Sequence, residues 1–401
     1  MFDLAAIQSA IRAEHVDAWL LYDFRGSNPL ARRILDLDGR GLSSRRFFYL
    51  IPAAGVPRKL VSRVEAFALD HLPGEKHVYL RGEELTAGVA DLLAGLGRVA
   101  MEYSPRNAVP TISRVDAGTM ELVRSFGVDV VSSGDLVQMF EATWDDDQWA
   151  MHLESERGTM SAFQVAWNLI AERTRDGGST TEVEVRSAIV DHLRGRGLVA
   201  AYPAIVAVGP HGGDPHYEVD TQVVAPIRAG DFVLIDLWGK LVKPRSVYSD
   251  YTRIGFVGDV VPDHYQHVFQ VVAQARDAAI ALIRARFAEG HRLQGWEVDE
   301  AARQVIVGAG YGDNFLHRTG HSIGEEIHGN GANMDNFETH EERLVLPRTC
   351  FSIEPGIYLP EFGVRSEVNV FIDGGGGVHV TGNPQTEVFP ILRCSEAIRE
   401  G

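Results

Sequence analysis

Residues 231–239 read DFVLIDLWG and residues 246–257 read SVYSDYTRIGFV. Each is an apolar, β-branched and aromatic run of the kind that forms a buried strand, and each carries one aspartate where a sheet would take an aliphatic side chain. Burying an ionised carboxylate without a partner costs several kcal/mol, so Asp236 and Asp250 each demand a cation or another strong partner. The intervening GKLVKPR contains Gly and Pro and reads as a hairpin loop. The midpoint of the two aspartates falls on Lys243. A hairpin turning there sets them directly opposite each other, with β-carbons about 4.5–5.5 Å apart. Like charges at that spacing call for a cation between them.

The same device recurs downstream. In CFSIEPGIY (350–358) and GVRSEVNVFI (363–372), Glu354 and Glu367 flank LPEFG, and their midpoint lies between Pro360 and Glu361, a turn-forming spot. These glutamates are therefore also expected to face each other across a hairpin. Four converging carboxylates balance two divalent ions, held about 3.5–4 Å apart and bridged by carboxylates and one water.

Histidines supply the rest. HRTGHSIGEEIHG (317–329) carries His317, His321 and His328, and His216 lies in GGDPHYEVD (212–220). An isolated histidine is more often a surface or core residue than a ligand. Three close together, beside glycines that admit close backbone approach, favour a site. One imidazole completes a metal shell of four carboxylates, and the others remain to bind substrate or polarise its carbonyl.

Within that segment Gly320–Gly324 matches G-x-S-x-G, the nucleophile elbow of serine hydrolases. The elbow needs a strand before Ser322 and a helix after it. YGDNFLHRT is a poor central strand, and EEIHGNGANM, with Gly329 and Gly331 inside, is a poor helix, so a serine mechanism is set aside. Neither H-E-x-x-H nor C-x-x-C occurs, which removes the zincin and thiol-redox readings.

Around these motifs the chain is long enough, at 401 residues, for two domains, and its 45% apolar content supports a sizeable core. The first third alternates strand-like (AWLLYDF, FFYLIP, KHVYLR, VAMEYSP, VDVVSS) and helix-like segments (Leu4 to Glu14, EELTAGVADLLAGL, VDAGTMELVRSFG). A polar, acidic ATWDDDQ follows, and the boundary is placed there: residues 1–145 an α/β domain, residues 146–401 a second one. In the second, helical stretches at about 147–174 and 181–196 precede strands, then helices at about 262–288 and 296–308 precede strands again. Helix pairs with mainly antiparallel strands, arranged as two similar halves, predict α+β. GGGG at 374–377 reads as a hairpin turn, since no helix follows it.

A net charge of −17 repels phosphate backbones and anionic membranes, so nucleic acid and membrane are discounted as partners. The N-terminus lacks a signal-peptide profile, no long apolar run occurs, and the pair Cys350 and Cys394 makes no disulfide framework. A cytoplasmic protein is expected.

In this order, the segments resemble the metallopeptidase family with the pita-bread fold, which includes methionine aminopeptidase, aminopeptidase P and prolidase (Xaa-Pro dipeptidase). The likeness covers the whole chain, its first part being similar to the creatinase-type N-terminal domain. The resemblance implies that Asp236, Asp250, His321, Glu354 and Glu367 are metal ligands. It further implies that His328 contacts the substrate carbonyl, that His216 lines the pocket, and that His317 and Arg365 bind the proline side. Arg365 lies two residues from Glu367 on the same strand face, where a substrate carboxylate or one of the acids would pair with it. Glu325 and Gly329 depart from the family pattern at the pocket rim; Arg318 and Thr319 are tolerated variants.

The expected reaction is cleavage of the Xaa-Pro bond of dipeptides by a metal-bridging hydroxide, with Glu354 moving the proton and His328, assisted by His216, stabilising the oxyanion. Manganese is the first choice of metal, with cobalt, zinc or iron permitted by the ligand set. A homodimer is implied by the resemblance. The alternatives are an aminopeptidase P acting on longer Xaa-Pro peptides, a non-peptide amidohydrolase or lyase on the same scaffold, and a metal-free binding module.

Overall fold

Strand Ala18–Asp23 (β1) is buried along its whole length, and its alternating side chains feed two separate apolar clusters. Trp19 and Leu21 enter one with Phe47, Tyr49 and Ile51; Leu20 and Tyr22 enter the other with Phe48 and Leu50. Strands covered on both faces read as continuous apolar runs, which is why AWLLYD and FFYLIP show no polar alternation. Beside β1 lie β2 (Phe47–Pro52), β3 (Arg58–Ser62), β4 (Glu75–Tyr79), β5 (Arg98–Met101) and β6 (Asp129–Ser132), in the order β4-β3-β2-β1-β5-β6. Helices α1 (Leu4–Ala13), α2 (Pro29–Ile34), α3 (Gly82–Leu93), α4 (Ala117–Arg124) and α5 (Gly134–Glu141) complete this α/β assembly. The sequence reading does not foresee β3, α2 or α5. In β3 a buried Lys59 disguises the strand; its Nζ is satisfied by the carbonyls of Leu69 at 2.9 Å and Leu72 at 2.6 Å.

In the computed structural model, which describes residues 2–37, 39–40, 43–219 and 224–393, the chain divides into two compact units, Met1–Glu141 and Ala142–Gly401. ATWDDDQ opens the second unit, because Trp144 is buried there with Val247, Tyr248 and Phe371. Asp145 caps the next helix, its side chain accepting from Gln148 N at 2.8 Å.

The second unit is α+β and repeats a helix pair followed by strands. First come α6 (Asp146–Thr174) and α7 (Glu182–Gly195), then β7 (Ile205–Val208), β8 (Phe232–Leu241) and β9 (Ser249–Phe256), with β8 antiparallel to both other strands. Next come α8 (Asp263–Ala288) and α9 (Gly295–Gly308), followed by β10 (Cys350–Ile353), β11 (Gly356–Tyr358), β12 (Gly363–Arg365), β13 (Val368–Ile372) and β14 (Val378–Thr381). β13 is antiparallel to β10 and β14, and GGGG makes the β13–β14 turn, closed by Asp373 N to Gly377 O at 2.9 Å.

Period-two alternation decides which way β8 and β9 face. Val233, Ile235, Leu237 and Tyr251 pack on α6 and α7, whereas Phe232, Leu234, Ile254 and Phe256 pack on α8, α9 and the second group of strands. Asp236, Asp250 and Thr252 share the parity of the latter set. They therefore point between the two halves, on the face of β8 and β9 that also carries Leu234 and Ile254. Cys350 is a buried free thiol and Cys394 lies outside the described residues. No described helix is long and apolar enough to cross a membrane.

Where α6 meets the strands, His152 is fully buried, with Nδ1 2.8 Å from the Tyr248 carbonyl and Nε2 2.9 Å from Thr381 Oγ1. A carbonyl only accepts, so Nδ1 carries the proton and the ring is neutral. Burial holds its pKa down to about 4. The unfolded chain therefore binds a proton between about pH 6.5 and 4 that the folded protein refuses, and stability is lost as pH falls through that window. Between pH 7 and pH 5 this group should remove about 2 kcal/mol. Denaturant titrations at both pH values should show wild type losing that much more than His152→Gln; equal losses would refute the assignment.

Candidate metal centre

The two carboxylate pairs are positioned by strand register. Along β10 and β13 Ile353 pairs with Val368, and along β11 and β12 Gly356 pairs with Arg365. Both ladders follow one register line, and that line sets Glu354 opposite Glu367 in the short gap between them. The turn, closed by Leu359 N to Phe362 O at 2.9 Å, lies where the sequence places it.

The aspartates need a correction. Asp236 pairs with Thr252, and Asp250 with Trp238, so they are not directly opposite. β8 continues to Leu241 because its end gains a second partner, Lys240 and Leu241 pairing with Val199 and Leu198. That shifts the turn centre from Lys243 to Pro244. The resulting offset is two residues, so both side chains stay on one face and become diagonal neighbours, about 7–8 Å apart at the backbone.

His321 enters between the pairs. Its Nδ1 is 3.1 Å from the Ser322 carbonyl and so must carry hydrogen, which aims Nε2 at Asp250 Oδ2 (3.5 Å) and Glu354 Oε1 (3.4 Å). Asp250, His321 and Glu367 each offer a ligand atom within 4.8 Å of the others'. Asp236 Oδ1, Asp250 Oδ1 and Glu367 Oε1 are buried with no hydrogen-bond partner among the described residues. Buried carboxylate oxygens seldom go unpaired, and the Asp250 and Glu367 oxygens with the His321 imidazole make an oxygen-rich donor set that fits a divalent cation.

The electrostatics agree. Burial, opposed by Arg365 and reinforced by Asp250 and Glu354, pushes the Asp236 carboxyl up to about 7. Asp250 is raised by burial against the pull of His321, and Glu367 is raised well above the carboxylate range by burial and by its three acidic neighbours. Glu354 is the exception. Burial disfavours its charge too, but His321, His317 and Arg365 together outweigh that and hold it below the usual value. His321 is raised, because Asp250 and Glu354 overcome the effect of burial.

A second tier of residues holds these groups. Thr252 Oγ1 donates to Glu367 Oε2 at 2.8 Å and accepts from Arg365 Nε at 2.9 Å. Ser352 Oγ donates to Glu354 Oε1 at 3.0 Å and accepts from His321 N at 2.9 Å. Asn369 exchanges two bonds with the Asp250 main chain, at 3.0 and 2.8 Å. The sequence reading misses all three, although Thr252 and Ser352 lie two residues from Asp250 and Glu354 and period two places them on the same face.

The remaining expected residues divide. Arg365 pairs with Asp236 Oδ2 at 2.5 Å, and its Nη1 donates to Tyr358 Oη (3.0 Å) and the Pro215 carbonyl (3.2 Å), so the acid is its partner here. His317 has both nitrogens engaged, by the Arg318 carbonyl at 2.6 Å and Tyr358 Oη at 2.7 Å; burial keeps it neutral, down to about 4. His328 stands edge-on to His321, with ring centroids 4.3 Å apart, and is held down to about 3, first by the His321 charge. His216 is exposed on the loop after β7, near enough to influence His317 and His328. Ser322 is buried in a two-residue strand, with its Oγ accepting from Gly331 N at 3.0 Å, which is no nucleophile elbow. At position 329 a Cβ would meet Ser322 Oγ at 2.9 Å, which explains the glycine there.

The family model for metallopeptidase family M24 matches residues 154–374, which include every carboxylate and histidine of this centre. The chain belongs to metallopeptidase family M24. A probable dipeptidase, PepE, of Mycobacterium tuberculosis is 28% identical over 336 residues, covering 84% of this chain and 83% of that protein. An Xaa-Pro dipeptidase of Lactobacillus delbrueckii is 32% identical over 207 residues, 51% of this chain and 50% of that protein. Among solved structures, dipeptidase PepE from Mycobacterium ulcerans superposes with a TM-score of 0.68 at 24% identity, covering 97% of this chain and 96% of that one. That likeness bears on the fold, which is the α+β pita-bread fold. The enzyme is a metallopeptidase near the dipeptidases and prolidases, and peptides are its substrate class.

Metal ligation needs the carboxylates ionised and the His321 Nε2 free. With Asp236, Asp250, Glu367 and His321 all raised in the free protein, loading with Mn(II) near neutral pH should expel protons, and affinity should rise with pH through about 7. Calorimetry in two buffers of unlike ionisation enthalpy measures that release; a binding heat independent of the buffer would contradict it.

Proposed function

We propose that this enzyme hydrolyses the Xaa-Pro bond of dipeptides, using two divalent ions held by Asp236, Asp250, His321, Glu354 and Glu367, with manganese the first choice. The observation that carries the reading is the grouping of Asp250, His321 and Glu367, two of whose carboxylate oxygens are buried without a partner among the described residues, as is Asp236 Oδ1. Divalent ions in such a set polarise a carbonyl and lower the pKa of water.

The chain's own groups account for the rest. Glu354 is the one acid of the four held below its usual range, so it is ionised at neutral pH and suited to take a proton from the attacking water. Its Oε1 is oriented by Ser352. The amide nitrogen of an Xaa-Pro bond carries no hydrogen, so the same carboxyl returns the proton to it before proline leaves. His328, neutral beside His321, donates an N–H to the developing oxyanion, with His216 assisting from its loop. His317 offers its ring face to proline, because both its nitrogens are engaged. Arg365 orients Asp236 and keeps one Nη2 hydrogen uncommitted for a substrate carboxylate.

A dipeptidase without proline preference is the second reading, favoured by the name of the mycobacterial relative. A homodimer rests on the family resemblance.

Metal content and cleavage of Ala-Pro, Ala-Ala and Ala-Pro-Phe, measured on wild type and Glu354→Gln, test the proposal. Two ions per chain, preference for Ala-Pro and a loss of about 10²–10⁴-fold in kcat for the variant are expected. Preference for Ala-Ala would install the second reading, and failure to bind any metal would remove both.

A further inference from the structure

Away from the metal centre several acids are buried without a lysine or arginine partner among the described residues, Glu102, Asp335 and Glu182 among them. Glu182 is the first residue of α7 and is 1% exposed, yet among the described residues it meets no lysine or arginine. Its two oxygens take three donors from one short segment. Oε1 accepts from Val208 N and from His211 Nδ1, both at 2.8 Å, and Oε2 accepts from the Tyr217 hydroxyl at 2.7 Å. His211 and Tyr217 also stack on each other, with ring centroids 4.4 Å apart. A single carboxylate thus pins a loop at its start, middle and end.

The loop so pinned carries His216. Between the anchors Asp214 Oδ1 accepts from His216 N at 2.9 Å, and the Pro215 carbonyl accepts from Arg365 Nη1 at 3.2 Å. Arg365 in turn grips Asp236. On its other side the loop lies backbone to backbone against the β11–β12 hairpin, where a Cβ on Gly212 would meet Gly363 N at 3.2 Å. Polar groups buried this way are expensive to leave unpaired: deleting the Glu182 oxygens strands three donors at once. The bonds converge on the segment that presents His216 rather than on the helix bearing Glu182.

We propose that Glu182 is a positioning residue for the peptidase reaction, fixing the 208–217 loop so that His216 and Pro215 are held against the metal-ligand cluster. The inference rests on the function proposed above. Its geometry predicts that Glu182 acts through His216 and not through metal affinity, because the ligand-bearing strands take no bond from it.

The test uses full-length protein with Glu182→Gln and, as a milder probe that keeps the ring stack, Tyr217→Phe. Hydrogen exchange over residues 208–217 should accelerate in both variants and more in Glu182→Gln, with the 232–256 and 350–372 strands and the Mn(II) stoichiometry unchanged. On Ala-Pro, Glu182→Gln should lower kcat/KM roughly 10- to 100-fold, the penalty of a misplaced group. The same change made in a His216→Ala background should cost less than about two-fold, since two residues acting as one unit are non-additive. Unchanged loop exchange would overturn the proposal whatever the activity. So would losses that multiply in the double variant, because Glu182 would then act independently of His216. Should Glu182→Gln not fold, Tyr217→Phe alone and paired with His216→Ala decides by the same criteria. A wild type that binds metal but cleaves no dipeptide would sink the parent reading, while the exchange data would still show whether Glu182 holds the loop.

Discussion

Four carboxylates crowded into one largely buried space between two halves of a fold set the terms for everything around them. Asp236, Asp250, Glu354 and Glu367 cannot all ionise there without counter-charge, and the protein supplies only part of it, through Arg365 and His321. The deficit appears in the raised carboxyls of Asp236, Asp250 and Glu367 and in the three oxygens left without partners among the described residues. Divalent cations fill such a deficit, and membership of the M24 metallopeptidases agrees with that chemistry. Glu354 keeps its charge because both His321 and Arg365 lie within 4 Å of it.

The architecture follows from the need to aim side chains on strands rather than on loops. Each half offers an antiparallel pair, and period two turns one side chain in every two towards the opposing half. The outer faces are covered by a helix pair each, so the acids lie between the two sheets, beside Leu234 and Ile254. Low polarity sharpens every electrostatic effect in the centre. It also forces each flanking polar group to be satisfied, and Thr252, Ser352 and Asn369 do this within bonding distance of Glu367, Glu354 and Asp250.

The legibility of the site was uneven for identifiable reasons. Acids inside aliphatic strands are conspicuous, so Asp236, Asp250, Glu354 and Glu367 stood out from local pattern alone, and so did the cluster around His321. Thr252 and Ser352 did not, because hydroxyl residues fit a buried strand without violating its pattern. β3 was hidden by a lysine whose buried ammonium is satisfied by carbonyls from a distant turn. The registers also differed. The glutamate hairpin turns tightly at one place and its midpoint could be found by counting. The aspartate hairpin has a longer loop, and its turn is displaced by pairing with a strand some forty residues upstream.

Resemblance to the pita-bread metallopeptidases implied the His321 ligand and a metal-dependent hydrolysis, while the sequence by itself determined the class of fold, the paired helix-then-strand halves and the acids of the centre. These depend on residue type and on periodicity, which act over neighbouring positions. Only the tertiary structure decided that Arg365 is committed to Asp236, that His317 is saturated by Tyr358 and a carbonyl, that the aspartates sit diagonally, and that Glu182 anchors the loop bearing His216. Each of these is a choice among partners distant along the chain. Such a choice turns on which groups the packed core leaves within three ångströms of one another, and local pattern carries no record of that distance.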